Sequence, residues 1–489
     1  GKGSTATLNY KNPKEICFFR EGDFATIQAE SKRKERNIVK IIEQYAKFIH
    51  DLQYGLLPEE TRDMAKRCLL ANLWYGTKTP MGKKALEDGA SLYGKLTGKK
   101  YSLPGGERGT LEQGLFTSAI LARCADLDDG HRQAMGHPGS LLIPLLLMEG
   151  QALDADGKTL LTALIGAYEI YIRLGNSINP SSYRERGFDS TGVTGAVACT
   201  AFLGKVLALS PDVLANALGI AASFSSGLIE YQNDGSMGKI LCGVWAISTA
   251  RRAIALAQAG YTGPAEAIEG KKGFCQAFSN DPKPELALER LGKEWKIREI
   301  YFKQHACMRG LHAGVDAMLF LRESHHLDLG NVQRITVYTT PFVGRLSKPC
   351  PKTEIGAQCS IKFALATALW KGNIASTHVL DEALENPQVR CMASSVRLVM
   401  DPELEQYVEQ HPSHWGTVRL EIELTDGRKV ERTAHLPKGE AEDPLTWEEL
   451  ADKFRNLTKG ILQEKQQEEM LKKVQHFEQQ KGTQGLVEL

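Results

Sequence analysis

The sequence predicts a mostly helical protein into which a smaller α+β unit is inserted before the chain returns to helix. Apolar residues recur at helical spacing from about residue 37 to 295, strand-like alternation appears between 296 and 434, and helical spacing resumes from Thr446 to Gln480. With 489 residues the chain is long enough for about three domains. We expect an arm at 1–36, a helical core at 37–295, an α+β domain at 296–434, and C-terminal helices at 435–489 that rejoin the core.

Three helices of the core have clear end signals. Thr110 to Ala125 has apolar residues on one face. Ser210 followed by Pro211 is a helix N-cap with proline at the first helical position, and it predicts a helix to about residue 224. The apolar stretch from Ile240 to Ala259 stops at Gly260, a residue typical of helix ends.

The α+β unit is indicated by one strand, one hairpin and one helix. Arg334 to Thr339 alternates like a strand. Two alternating segments within 417–434 flank the dipeptide Asp426-Gly427, which is a strong hairpin signal. Between them, Gln358 to Trp370 has helical spacing. This mixture differs from the helical pattern on both sides and therefore predicts a separate unit.

Composition excludes several classes of partner. Lys and Arg number 60 against 59 Asp and Glu, which gives no electrostatic reason to expect nucleic acid or an anionic membrane as a partner. No apolar run reaches the roughly 18–20 residues that cross a bilayer. Ten scattered cysteines without a Cys-x-x-Cys pair predict reduced thiols in the cytoplasm, with neither a disulfide framework nor a structural zinc site. The first residues lack the apolar stretch of a signal peptide, so we expect a processed or artificial end.

A cluster of titratable residues follows the helix that ends near Ala125. It contains Asp126, Asp128, Asp129, His131 and His137. Solvated polar residues at a helix end are the structural interpretation. A magnesium site is a second, although the Asp-Asp-x-x-Asp spacing of diphosphate-binding enzymes is absent. The third is acid/base catalysis, because a histidine oriented by a carboxylate is the commonest proton-transfer pair.

Lys239 opens the second candidate segment. The stretch from Gly235 to Lys239 begins a helix, and its superficial match to a phosphate loop fails because Ile240 stands where Ser or Thr is required. A lysine at a helix N-terminus nevertheless favours anions, since unpaired amides and the helix dipole act in the same direction. A carboxylate substrate fits this position, and an ordinary surface lysine is the alternative.

The third segment holds Lys303, His305, Arg309 and His312 where the helical core meets the α+β unit. Domain junctions are preferred positions for pockets. Two or three cations there would bind a carboxylate. The alternative is a structural network at the interface, and His305 is the member that fits this alternative best.

These segments resemble the MmgE/PrpD family, which includes 2-methylcitrate dehydratases, cis-aconitate decarboxylases and an iminodisuccinate epimerase. The resemblance covers roughly residues 115–450. Its motifs appear here, in family order, as Asp126-Leu-Asp-Asp-Gly-His131 with His137-Pro-Gly-Ser, Gly187-Phe188-Asp189, Lys239, Lys303-Gln-His305-Ala-Cys307-Met-Arg309-Gly-Leu-His312, Ala357-Gln358-Cys359-Ser360, and Pro437-Lys-Gly with Pro444-Leu-Thr446.

The resemblance implies a helical domain built from both chain ends, an inserted α+β lid, a homodimer, and no required metal or nicotinamide cofactor. It also implies a small carboxylic acid as substrate and chemistry at the carbon alpha to a carboxylate. His137 is then the expected general acid/base, with Asp126 orienting or polarising it. Lys239 and Lys303 would neutralise the developing charge, and we expect substrate contacts from both lysines and from Arg309, His131, His305 and His312.

Four positions depart from the family pattern. Asp189 replaces the usual histidine, Gly130 replaces Thr or Tyr, His305 replaces Tyr, and Lys362 replaces an uncharged residue. An anion in place of a cation should weaken binding of a tricarboxylate. Asp189 could be a second base, or it could bind a substrate cation or hydroxyl. We therefore expect a lyase whose substrate is not plain citrate, methylcitrate or cis-aconitate. The alternatives are an isomerase or epimerase on the same residues and a catalytically silent ligand-binding member.

Overall fold

The computed structural model describes residues 40–73, 76–77, 79–93, 100–375 and 377–487, apart from the side chains of 377 and 378. The arm predicted at 1–36 lies outside these residues. The α-helices are α1 Ile41–Asp51, α2 Glu59–Ala71, α3 Pro80–Tyr93, α4 Leu111–Cys124, α5 Gly139–Ala152, α6 Gly157–Asn176, α7 Ser181–Arg184, α8 Ser190–Val206, α9 Pro211–Ser223, α10 Tyr231–Asp234, α11 Gly238–Gln258, α12 Phe274–Phe278, α13 His312–His325, α14 Pro341–Gly344, α15 Glu354–Gln358, α16 Ile361–Lys371, α17 Thr377–Glu385, α18 Pro387–Ser395, α19 Pro402–Gln410, α20 Trp447–Thr458, α21 Glu464–Gln475 and α22 Gln484–Val487. Short 3-10 turns lie at Tyr54–Leu56, Pro284–Ala287, Lys296–Glu299, Arg309–Leu311, Pro412–His414 and Phe477–Gln479.

The helix ends predicted from sequence are confirmed. The Thr110 hydroxyl accepts the amide of Gln113 at the start of α4, and the Ser210 hydroxyl accepts the amide of Val213 at the start of α9. Helix α8 packs against both α6 and α11. A Cβ atom at Gly195 of α8 would lie 3.3 Å from the Cβ atom of Ala246 on α11, so the small residues bring these two helices close together. The small-residue faces thus produce a close-packed helical core.

Helix α11 is long and apolar enough, by length and mean hydropathy alone, to meet the criteria for a membrane span. The expectation from sequence that no apolar segment is long enough to cross a bilayer is therefore not met by α11 under these criteria. Half of its most apolar window is buried inside the protein. Its outer side keeps Trp245 60% exposed.

The strands in the described residues are β1 Tyr101–Ser102, β2 Arg108–Gly109, β3 Asp129–Gly130, β4 Tyr301–Phe302, β5 Val332–Thr339, β6 Arg397–Met400, β7 Val418–Leu424 and β8 Lys429–Ala434. Strands β5 to β8 form one four-stranded sheet with the order β6-β5-β7-β8, in which β5, β7 and β8 are the predicted strands. The hairpin β7–β8 turns at Asp426-Gly427 as predicted, with Gly427 at φ +85°. Strand β6, which the sequence pattern did not indicate, pairs in parallel with β5. One face of β7 is buried at alternate residues, which explains why its periodicity was visible in the sequence.

The C-terminal region is helical as expected but is interrupted. The helix predicted from Thr446 to Gln480 is two helices, α20 and α21, because the chain turns at Gly460 in a left-handed conformation with φ +73°. The described residues from Ile41 onward form one compact unit. The domain boundaries and the inserted lid therefore remain predictions, whereas the mostly helical architecture with small sheets agrees with expectation.

One short pairing links the two chemically interesting segments. Strand β3, Asp129–Gly130, pairs antiparallel with β4, Tyr301–Phe302. This pairing brings the aspartate cluster after α4 next to the segment that contains Lys303. Seven of the nine cysteines in the described residues are buried, and none forms a disulfide there.

Candidate active site

Asp126 is the centre of a buried cluster of charges. It follows α4 in a left-handed backbone conformation with φ 51°, which is uncommon for a residue other than glycine. Its Oδ1 atom lies 2.6 Å from the Nζ of Lys303 and 3.0 Å from the Nζ of Lys239. Burial opposes ionisation of this carboxyl, but the two lysines and Arg123 lower its pKa well below the ordinary value. Asp126 is therefore an ionised group that holds two lysines together.

Asp128 forms the second half of the cluster. Its Oδ2 atom accepts a hydrogen bond of 2.7 Å from Arg123, and its Oδ1 atom lies 3.4 Å from the Nζ of Lys303. Despite burial, Arg123 and Lys303 lower the pKa of this carboxyl. Arg123, Lys239 and Lys303 thus face two carboxylates, so that these five side chains leave one positive charge uncompensated. Within the described part of the chain, no group of three or more His, Cys, Asp or Glu residues is arranged to hold a metal ion.

His137 is the most accessible member of this assembly, with its side chain 17% exposed against 0% for Asp128. Its Nδ1 atom donates to the backbone carbonyl of Asp129 over 2.7 Å and lies 3.3 Å from Asp128. A carbonyl can only accept, so Nδ1 carries the proton and Nε2 is available as a base. Burial, with the charge of Arg123, lowers the pKa of this imidazole well below 6.5. His137 is therefore neutral at pH 7 and able to take a proton.

Of the two roles expected for Asp126 toward His137, orienting by direct contact does not occur, whereas polarising through its charge is compatible with the structure. The groups that contact the imidazole are Asp128 and the Asp129 carbonyl, because the left-handed backbone at Asp126 turns its carboxylate toward the lysines. Asp126 acts on His137 only through its charge.

Asp129 anchors the loop that carries His137. Its carboxylate accepts the Gly139 amide over 2.9 Å and the Tyr168 hydroxyl over 2.6 Å. A Cβ atom at Gly139 would lie 2.6 Å from this carboxylate, so only glycine fits. Burial, together with the nearby charge of Asp128, raises the pKa of Asp129 to about 7. The two neighbouring aspartates thus differ strongly in acidity because only Asp128 is paired with cations.

Gln358 fixes the second lysine. Lys239, the second residue of α11, donates to the Gln358 Oε1 atom over 2.7 Å. The Gln358 amide nitrogen donates in turn to the Cys124 carbonyl at the end of α4 over 2.8 Å. One amide side chain therefore joins the end of α4 to the start of α11 at the point where Lys239 meets Asp126.

Tyr301 occupies the space beside His137. Its ring lies edge-on to the imidazole at a centroid separation of 6.4 Å, and the Arg309 guanidinium lies 4.7 Å from its centroid on the other side. A Cβ atom at Gly130 would lie 2.3 Å from the Tyr301 hydroxyl oxygen. The glycine at this family position thus leaves room for a phenol that strand β4 supplies. Burial raises the pKa of Tyr301 well above 10, so its hydroxyl is a neutral donor.

Arg309 is neutralised by Glu440, which accepts from its Nε atom over 2.7 Å. His312 accepts from Arg309 through Nδ1 over 3.1 Å and donates through Nε2 to the Cys307 carbonyl over 3.1 Å. Burial and the Arg309 charge lower the pKa of His312 well below 6.5. His312 is therefore a neutral residue that holds Arg309, and its two nitrogens are both occupied.

Asp189 does not touch the cluster around Asp126. It is the N-cap of α8, where its Oδ1 atom accepts the Thr191 amide over 2.9 Å, and its Oδ2 atom accepts the Tyr231 hydroxyl over 3.0 Å. The carboxylate is only 2% exposed. Both of its oxygens have protein partners, so part of its role is to begin a helix.

Two predicted histidines have partners outside the cluster. His131 lies 3.2 Å from Glu299 through Nε2, and His305 lies 2.6 Å from Asp316 through Nε2. His131 lines a cavity of about 1140 Å³ between residues 131–135 and residues 405–415. The structure thus joins Asp126, Lys239, Lys303 and His137, and it gives His131 and His305 separate partners.

Four residues of the site had no individual role predicted from sequence, although Asp128 was named in the aspartate cluster and Gln358 in a family-like motif. Arg123 and Asp128 complete the charge cluster, Gln358 fixes Lys239, and Tyr301 lies against His137. The signal for Arg123 was a lone cation within an apolar helix, and Gln358 belonged to a family-like motif. Tyr301 had no signal, because its position depends on the β3–β4 pairing.

Comparison with known proteins agrees with this architecture. The family model described as the MmgE/PrpD N-terminal domain matches residues 43–287, and the MmgE/PrpD C-terminal domain matches residues 305–479. The two matches cover most of the chain. The protein belongs to the MmgE/PrpD family.

Curated relatives of the chain are named as cis-aconitate decarboxylases. A cis-aconitate decarboxylase-like protein of Aspergillus oryzae is 28% identical over 447 residues, 85% of this chain and 90% of that protein. The cis-aconitate decarboxylase of Aspergillus terreus is 25% identical over 441 residues, covering 85% and 88%. The human enzyme of that name is 25% identical over 454 residues, covering 90% and 92%.

Proposed function

We propose that the protein is a lyase of the dehydratase or decarboxylase type that acts on a small carboxylic acid. The observation that supports this most directly is the neutral His137 beside a buried cluster of Asp126, Lys239 and Lys303. The names of the curated relatives support the same reaction class. We propose no cofactor for the reaction.

The chemistry follows from the charges. When a proton or carbon dioxide leaves the carbon next to a carboxylate, the remaining electron pair spreads into that carboxylate, which becomes a dianion. Buried cations stabilise such a charge far better than water does. Lys239 would contact the substrate carboxylate directly. Lys303 would contribute its positive charge without direct contact, because it is paired with Asp126, the carboxylate that also holds Lys239. His137 would take or return the proton through Nε2, and Asp128 would stabilise the resulting imidazolium.

The net charge of the cluster limits the substrate. Three cations against two carboxylates leave one positive charge, and Arg309 is already neutralised by Glu440. A tricarboxylate such as cis-aconitate would bring more negative charge than this cluster compensates, and Asp189 would repel it further. We propose a substrate with fewer carboxylates, or one that offers a cation or a hydrogen-bond donor toward Asp189.

A proton NMR screen in deuterated water tests this proposal. Purified protein is incubated with cis-aconitate, dicarboxylates and amino-dicarboxylates, and the His137→Gln variant is the matched control. A new vinyl signal indicates a lyase. Exchange of the alpha proton without net conversion indicates an isomerase or epimerase. If a thermal-shift screen finds a bound acid that wild-type protein neither exchanges nor converts, the chain is a silent ligand-binding member and the proposal is wrong.

We also propose the homodimer that the family resemblance implies. The outer side of α11, where Trp245 lies exposed, supports a partner surface distinct from the charge cluster. Light scattering measures the oligomeric state of the wild-type protein and of Trp245→Asp. A wild-type dimer that the substitution dissociates agrees with the proposal. A wild-type monomer contradicts it.

A further inference from the structure

A lysine from the C-terminal helices contacts the backbone of the segment that carries the aspartate cluster. Lys453 of α20 donates from Nζ to the backbone carbonyl of Leu127 over 2.8 Å. Leu127 is 1% exposed and stands between Asp126 and Asp128 in the chain. The contact therefore holds the peptide that joins the two carboxylates of the candidate site.

That peptide needs external support. Asp126 has a left-handed backbone, and such conformations persist in residues other than glycine only where the surroundings impose them. The two carboxylates share Lys303 but differ in their closest partners: Asp126 lies nearest to Lys303 and Lys239, and Asp128 lies nearest to Arg123 and His137. A small rotation of the Leu127 peptide would move both carboxylates at once.

The charge of Lys453 depends on its surroundings. Asp128 and Asp129 on the opposing segment favour its ammonium form, while Lys303 and Arg309 disfavour it. On its own helix, Asp452 and Arg455 pair with each other. Burial is the largest influence, and it lowers the pKa of Lys453 to about 7. The bond to Leu127 therefore gains charge assistance below neutral pH and loses it above.

We propose that Lys453 is a positioning residue for the candidate site: through the Leu127 carbonyl it sets the orientation of Asp126 and Asp128, and its charge makes that control pH-dependent. This inference rests on the proposed lyase function. It adds the C-terminal helix α20 to the elements on which catalysis depends.

Three variants of the full-length protein test the role. Lys453→Met removes the bond, and Lys453→Arg keeps a donor that stays charged at every accessible pH. Lys473→Met is the matched control, because Lys473 also donates to a backbone carbonyl, that of Gly485, over 2.9 Å in the same region. We expect Lys453→Met to lower kcat about 10- to 100-fold at pH 6 with little change in KM, and the deficit to shrink above pH 7. Lys453→Arg should retain activity further into the alkaline range than the wild type.

A second readout needs no substrate. The imidazole signal of His137, assigned by its loss in His137→Gln, is titrated by NMR in each protein. Loss of a cation near Asp128 should raise the pKa of His137 in Lys453→Met and leave it unchanged in Lys473→Met. Identical His137 titrations in these two variants overturn the positioning role, whether or not turnover is found. Absence of turnover in the wild type would instead count against the proposed function alone.

Discussion

Replacing Lys303 by methionine removes the cation that Asp126 and Asp128 of the candidate site share. The Lys303 ammonium is fully buried, 2.6 Å from Asp126 and 3.4 Å from Asp128. Its loss leaves two cations, Lys239 and Arg123, against two carboxylates. Breaking a buried ion pair from one side costs about 3–5 kcal/mol of stability. Removing one group that stabilises developing negative charge costs about 10²–10³ in kcat. We also expect a raised KM, because the cluster loses its surplus positive charge.

Urea unfolding and alpha-proton exchange measure the two effects separately. Lys47→Met is the control, since Lys47 lies at the same 2.6 Å from Asp51 but both side chains are more than half exposed. Exposed pairs of this kind contribute about 0–1 kcal/mol. The reasoning is refuted if Lys303→Met has the same free energy of unfolding as Lys47→Met and the same turnover as the wild type. Lys303 would then contribute neither to stability nor to catalysis from its position in the charge cluster.

Substitutions at three further residues probe the surroundings of the cluster. His137→Gln should fold normally and lose about 10²–10⁴ in turnover, the size of a general acid/base contribution; turnover within tenfold of the wild type would remove His137 from the mechanism. Asp189→His should lower turnover of the native acid and raise any activity on cis-aconitate, while Asp189→Asn, which retains the cap of α8, separates charge from helix capping; equal turnover in all three proteins contradicts the specificity role. Asp129→Asn tests the raised pKa of about 7. Between about pH 4 and 7 the native Asp129 carboxyl stays protonated while the same carboxyl ionises in the unfolded chain, so the free energy of unfolding of the wild type falls as pH rises. In urea unfolding, the stability of Asp129→Asn relative to the wild type should therefore increase over that pH range. A difference that is flat with pH means that Asp129 ionises normally.

Elements of the fold could be predicted from sequence where the local conformational preferences of the residues and their burial pattern indicate the same structure. Ser210 and Thr110 cap helices in any context, and Asp426-Gly427 makes a hairpin turn from its own backbone preferences. Strand β6 was missed because neither face of Arg397–Met400 is fully buried, so no alternation was visible. The break at Gly460 was missed because the apolar spacing on either side of it continues.

The sequence predicted which residues belong to the candidate site, but it did not predict which of them contact one another. Asp126, Lys239, Lys303 and His137 were predicted and lie together. Asp126 pairs with Lys239 and Lys303, which lie more than 100 positions away, and no local pattern encodes such contacts. His137 was assigned to Asp126 for a different reason: the backbone turn at Asp126, which directs its carboxylate to the lysines and leaves Asp128 to contact the imidazole, was not visible in the sequence.

The close approach of Tyr301 to Gly130 has a consequence for how this site can change over time. Any side chain at residue 130 would overlap the phenol of Tyr301, whose hydroxyl oxygen lies 2.3 Å from the missing Cβ. A hydroxyl-bearing residue can therefore be introduced at 130 only after Tyr301 has been replaced by something smaller. Substitutions at the two positions are thus epistatic. A lineage that exchanges one arrangement for the other must replace Tyr301 first or change both residues together.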